Sequence, residues 1–178
     1  MTRDATTTRR ALHTAGFTLI ELLIILLIIG VLAALVIPGY SSASASARES
    51  NLADNLRHVR TQILVYTAQH GGIAPGYPDG DLNATPTAEA FVAQMTTYTD
   101  GIGHSAADRT DVFANGPYLR KIPANPNNLS DVVRVIGNNE TFPSTAHGPE
   151  GWVYKPATRT FVANTPGQDK TGRAYFDY

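Results

Sequence analysis

Residues 17–37 form a single apolar run, and this run constrains the chain more than any other feature. Among its 21 residues only Thr18, Glu21 and Gly30 are not strongly hydrophobic. As a helix, such a run extends roughly 30 Å, the thickness of a bilayer's hydrocarbon core. The residues before it, 1–16, carry Arg3, Arg9 and Arg10 against Asp4. Short positive flanks stay on the cytoplasmic side, so the expected orientation is N-terminus inside and Gly39 onward outside. From Gly39 to Tyr178 the chain is polar and rich in Gly, Pro, Asn and Thr. A membrane-directed N-terminus is thus joined to one small soluble domain, as 178 residues allow.

Composition removes several function classes. There is no cysteine, which excludes a disulfide framework, thiol catalysis and Cys-ligated zinc or iron–sulfur sites. The net charge is −1, so binding to nucleic acid through bulk positive charge is not expected.

Three readings of the N-terminal segment compete. A secretory signal needs a small-residue cleavage site, and Ala43-Ser44-Ala45 or Ala45-Ser46-Ala47 supplies one. The apolar run, however, exceeds the roughly 7–15 residues of a signal-peptide core. A plain signal anchor explains length and orientation but not Glu21. A carboxylate inside a spanning helix is unfavourable by about 2.5–3.5 kcal/mol near the centre, and less near the ends. Read alone, Glu21 either lies one turn from the membrane edge, where it snorkels or protonates, or has a partner.

The third reading comes from Gly16-Phe17-Thr18-Leu19-Ile20-Glu21-Leu22-Leu23. This segment resembles the processing motif of type IV pilins and type II secretion pseudopilins. The resemblance implies cleavage between Gly16 and Phe17 by a prepilin peptidase, N-methylation of Phe17, and an assembly role for Glu21. The physical logic is consistent. Cleavage creates an α-amine with a pKa of about 8, cationic at neutral pH. A cation and a carboxylate in a bilayer each need a counter-charge. The amine of one subunit then meets Glu21 of its neighbour and sets the register. The leader, 1–16, is longer than that of common type IV pilins, which favours a pseudopilin.

Beyond Pro38, Leu52, Leu56, Val59, Ile63 and Tyr66 recur at spacings of 4, 3, 4 and 3, which is one helical stripe. Arg48, Asp54, Arg57 and Arg60 fall on other faces, and Gly71-Gly72 is the expected stop. Residues 17 to about 70 read as one long helix with a weak point at Pro38, where these families often carry a helix-bending proline. The expected domains are a basic leader at 1–16, a transmembrane and assembly helix at 17–37, an amphipathic continuation at 38–70, and a loop-rich head at 71–178.

In the head, Thr87–Thr97 suits a short helix capped by Thr85 or Thr87. Asp131–Ile136 suits a strand. Gly151–Asn164 suits a hairpin, with Trp152 and Tyr154 on one face, Phe161 and Ala163 on the return, and Pro156–Arg159 as the turn. The fold class expected is α+β: a long N-terminal hydrophobic helical spine packed against a small antiparallel β-sheet head, the lollipop shape that the pilin resemblance implies.

A second resemblance lies in the order of three head motifs. A Tyr77-Pro78 loop, the segment Gly116-Pro117-Tyr118-Leu119-Arg120-Lys121-Ile122-Pro123 and the late Gly151-Trp152-Val153-Tyr154-Lys155-Pro156-Ala157-Thr158 resemble the major (G-type) pseudopilin. That group binds calcium near its C-terminus through carboxylate and carbonyl oxygens. Here Asp169 and Asp177 are the only carboxylates after Glu150, too few for the 6–8 oxygens calcium prefers, and no metal site or cofactor is assigned.

No catalytic constellation is expected. Gly103-His104-Ser105-Ala106-Ala107 lacks the last glycine and the strand–turn–helix setting of a nucleophile elbow. His58, His70 and His147 have no ligand companions and read as surface residues.

The resemblance implies a pseudopilin subunit of a type II secretion system, not an enzyme. Its partners would be the membrane, a prepilin peptidase/methyltransferase, other copies of itself, minor pseudopilins, and an inner-membrane platform with a cytoplasmic ATPase. It would be a single-pass bacterial inner-membrane protein with a periplasmic head. The alternatives are a type IV pilin for adhesion, motility or DNA uptake, and a signal-anchored or secreted binding module.

Overall fold

The structure is a computed structural model that describes residues 17–178, with side chains 34–42 outside the description. The chain divides into two compact units, Met1–Ser44 and Ala45–Tyr178. The main helix, α1, runs Leu19–Gln69.

In the first unit the described part of α1 has no core of its own. Leu19, Ile20, residues 22–29, Val31 and Leu32 are all exposed, between 42% and 83%. Among the described residues no helix is long and apolar enough to cross a membrane. The end of the predicted 17–37 span falls on residues whose side chains lie outside the description.

The second unit has the expected α+β architecture. Leu52, Leu56, Val59, Ile63 and Tyr66 are each at most 1% exposed, so the whole predicted stripe is core. Burying each such side chain contributes about 1.5–3 kcal/mol. The helix stops where Gly71 and Gly72 take positive φ values of +60° and +92°. The Gly72 N–H donates to the Thr67 carbonyl at 2.9 Å, the long-range bond of a Schellman stop.

Against the stripe pack Phe91 and Met95 of α2 (Ala88–Thr96), Leu119 and Ile122 of the following loop, and a small sheet. The Thr87 side chain caps α2 by accepting from the Ala90 N–H at 3.1 Å. Strands β1 (Tyr98–Thr99) and β2 (Ser105–Ala106) form an antiparallel pair. The larger sheet has the order β3-β4-β5, with β3 at Val133–Val135, β4 at Trp152–Lys155 and β5 at Thr160–Ala163.

The predicted hairpin is present. Trp152 lies opposite Ala163 and Tyr154 opposite Phe161. Pro156–Thr158 forms a 3-10 turn, and Arg159 closes it at φ +57°. Trp152, Tyr154 and Phe161 face the helix, whereas Val153 and Val162 face a second cluster with Ile136 and Phe176. The central strand is therefore covered on both faces, which explains its unbroken apolar character.

Two details differ from the sequence reading. The strand expected over 131–136 is only Val133–Val135, and Asp131 and Val132 are exposed. It also pairs parallel to β4, so this sheet is mixed, while β1–β2 and β4–β5 pair antiparallel. A parallel neighbour needs a long crossover, and residues 136–151 supply it.

Candidate functional site

The N-terminal motif opens as a capped helix start. Phe17 and Thr18 precede the first turn, and Phe17 is 74% exposed. The Glu21 N–H donates to Thr18 Oγ1 at 3.3 Å. In return the Thr18 N–H and hydroxyl both donate to Glu21 Oε2 at 3.4 Å. This is a capping box, in which two side chains satisfy helix-end donors reciprocally. A carboxylate in the first turn also meets the positive end of the helix dipole.

The sequence reading treated Thr18 only as an exception in an apolar run. Its signal was legible: Thr-x-x-Glu ahead of an apolar stretch marks a helix start. Gly16 lies outside the described residues, as does the side chain of Pro38, so the cleavage and bending roles assigned to them remain proposals.

In the second unit the three head motifs converge. Trp152 Nε1 donates to the Pro123 carbonyl at 2.8 Å, tying the 116–123 segment to the hairpin. A Cβ added at Gly76 would stand 2.9 Å from the Pro156 ring, so the loop before Tyr77 needs glycine to lie against the turn of the hairpin. Gln94, buried on α2, locks the same loop. Its Oε1 accepts from the Gly76 N–H at 2.7 Å, and its Nε2 donates to the Tyr77 and Gly103 carbonyls at 2.8 Å.

His70, read from the sequence as a surface residue, and Arg60, placed off the apolar stripe, are both structural. His70 is buried, stacked on the Tyr66 ring at 3.8 Å, with Nδ1 2.7 Å from the Tyr66 carbonyl and Nε2 2.9 Å from Thr99 Oγ1. It marks the end of the helix stripe, where one further turn brings the ring under β1. Arg60 is half-buried and donates through Nε to the Phe161 carbonyl at 2.9 Å and through Nη2 to the Tyr178 carbonyl at 2.5 Å.

The 100–105 loop is organised by Asp100. Its Oδ1 accepts from the N–H groups of Ile102, Gly103 and His104 at 3.0, 2.8 and 3.0 Å. Its Oδ2 pairs with His104 Nδ1 at 2.6 Å. Burial pushes the Asp100 carboxyl up, but His104 and the three N–H groups outweigh that and hold it below its ordinary value. The hydrogen bond and charge of Asp100 raise His104. Ser105 lies exposed on β2. Among the described residues no group of three or more His, Asp or Glu converges as a metal site.

Comparison with known proteins agrees with the N-terminal geometry. Residues 12–37 match the family described as the prokaryotic N-terminal methylation motif. The chain is 30% identical over 87 residues to the type IV major pilin protein PilE1 of Neisseria gonorrhoeae, covering 49% of this chain and 41% of that one. It is 32% identical over 83 residues to prepilin peptidase-dependent protein D of Escherichia coli (strain K12), covering 46% and 56%. It is 41% identical over 66 residues to fimbrial protein EcpB of Eikenella corrodens, covering 37% and 41%. The chain thus spans about half the length of the curated relatives it matches. No solved structure matches it significantly. The chain thus carries a match to the N-terminal methylation motif at the head of an exposed apolar helix, and over its N-terminal part it is similar to type IV pilin-like proteins.

Proposed function

We propose that the chain is a pseudopilin subunit of a type II secretion system. Prepilin peptidase cuts between Gly16 and Phe17, and the new N-terminus is methylated. The subunit sits N-in across the inner membrane with its head in the periplasm. Copies of it, together with minor pseudopilins, assemble on an inner-membrane platform into a short filament that drives protein export. The energy comes from a cytoplasmic ATPase, because the sequence carries no phosphate-binding loop. The role is structural, not enzymatic.

The carrying observation is the Gly16–Leu23 motif heading a helix whose apolar residues 19–32 are exposed. So much apolar surface marks a membrane or subunit interface. The order of the three head motifs and the absence of cysteine support the type II system. One observation favours a type IV pilin instead: two of the relatives are named as a major pilin and a fimbrial protein.

The test is intact mass and N-terminal peptide analysis after co-expression with a prepilin peptidase, followed by complementation of a strain lacking its major pseudopilin. A chain beginning at methylated Phe17 that restores secretion supports the proposal. The same processed chain forming long surface fibres without restoring secretion favours the pilin. A chain beginning near Ser46 or Ser50 overturns both and leaves a secreted binding module.

A further inference from the structure

We infer that the tail of the head, residues 167–178, is held by a metal-free clasp centred on Asp169. Side chains of this chain do there what a calcium ion does in G-type pseudopilins.

The Asp169 carboxylate accepts from four donors. Its Oδ1 accepts from the Thr171 N–H at 2.7 Å, the Thr171 hydroxyl at 2.6 Å and the Arg173 N–H at 3.0 Å. Its Oδ2 accepts from the Tyr178 hydroxyl at 2.6 Å. An ionised carboxylate offers about four lone-pair sites, and four donors meet this one. The backbone closes the same loop: the Asp169 N–H donates to the Arg173 carbonyl at 2.9 Å, and the Gly172 N–H donates to the Asp169 carbonyl at 3.0 Å. A cation entering would have to displace these donors, and calcium would still need 6–8 oxygens at about 2.3–2.6 Å. The nearby positive charge is instead guanidinium. Arg60 and Arg173 line the same cleft as Asp169 and Tyr178.

The clasp also fastens the tail to the rest of the unit. Tyr178 is held by its hydroxyl on Asp169, by the Arg173 guanidinium 4.9 Å over its ring, and by Arg60 on its carbonyl. Arg60 in turn holds the Phe161 carbonyl, so one α1 side chain bridges β5 and the tail. The Tyr175 hydroxyl donates to Glu49 Oε1 at 3.3 Å, a second tie to the helix. The hydrogen bonds from Thr171 and then Tyr178 hold the Asp169 carboxyl well below the usual carboxylate range, so it is ionised throughout the neutral range.

The test uses the full chain in detergent micelles, with hydrogen exchange of peptides covering 167–178 and thermal melting, each with calcium and with EDTA. Neither readout is expected to change between calcium and EDTA. Tyr178→Phe and Asp169→Asn each remove a charge-assisted bond and should speed exchange of the tail by about tenfold or more, again regardless of calcium. Tyr178→Phe serves if the Asp169 variant fails to fold. Calcium that slows exchange or raises the melting temperature of the unmodified chain overturns the inference. So does unchanged tail exchange in Tyr178→Phe.

Discussion

Glu21 has two possible duties, and replacing it with glutamine separates them. In the structure it caps its own helix through three contacts of 3.3–3.4 Å on an exposed first turn. Bonds this long at an exposed site place the cap near the bottom of its usual range, about 0.5 kcal/mol. That corresponds to about a twofold change in an equilibrium. In the filament the same carboxylate is expected to neutralise the α-amine of a neighbouring subunit. An ionised group left unpaired in the bilayer costs about 2.5–3.5 kcal/mol, or about 70- to 400-fold in subunit addition. Glutamine at N3 still completes a capping box but carries no charge. Glu21→Gln should therefore fall almost as low in filament yield as Glu21→Ala. Thr18→Ala, which breaks the box and keeps the charge, should lose only about twofold. Filament mass from shear fractions and electron microscopy reads the yield, and mass spectrometry verifies equal processing. Filaments in Glu21→Gln within about twofold of the parent level would refute the charge-pair account and leave the cap as the function of this residue.

Three further outcomes follow from the second unit. Ile63→Ala empties a fully buried position of the stripe; it should cost about 2–5 kcal/mol and lower the melting temperature by about 4–20 °C, read by circular dichroism. The Tyr154 hydroxyl is buried with no hydrogen-bond partner, and burial pushes its pKa far up. Tyr154→Phe should leave stability unchanged or raise it by up to about 1–3 kcal/mol, and a clear loss in denaturant titration would mean that the hydroxyl is bonded. His104 is raised by its hydrogen bond to Asp100, so the stabilisation it contributes is present below its unfolded pKa of about 6.5 and fades as pH rises through the higher folded value. The imidazole NMR titration should have its midpoint above about 6.5, and Asp100→Asn should bring it back.

Much of this protein was legible before any coordinates. The 4, 3, 4, 3 spacing from Leu52 to Tyr66 identified the buried face residue by residue, because helical periodicity alone decides which side chains share a face. Alternation of Trp152 with Tyr154, and of Phe161 with Ala163, marked the hairpin and its inward faces, and the paired strands supply its register. Thr87 was one of two caps offered, and its side-chain bond to the Ala90 N–H decides it. Thr18 carries a local signal of the same kind, since Thr-x-x-Glu ahead of an apolar stretch marks a helix start.

What the chain's order of residues determined by itself is therefore local. It includes the processing motif, the apolar run, the helix stripe, the glycine stop and the hairpin, each specified by residues within a few positions of one another. Tertiary structure decided everything that depends on long separations. The parallel pairing of Val133–Val135 with Trp152–Tyr154 needs a crossover whose path no local pattern records. His70 became a core residue only because Thr99 and the Tyr66 ring meet it. Arg60 became a bridge only because Phe161 and Tyr178, about a hundred residues onward, bring carbonyls to it. A polar side chain is buried where partners offset its lost hydration, and those partners exist only once the chain has closed on itself.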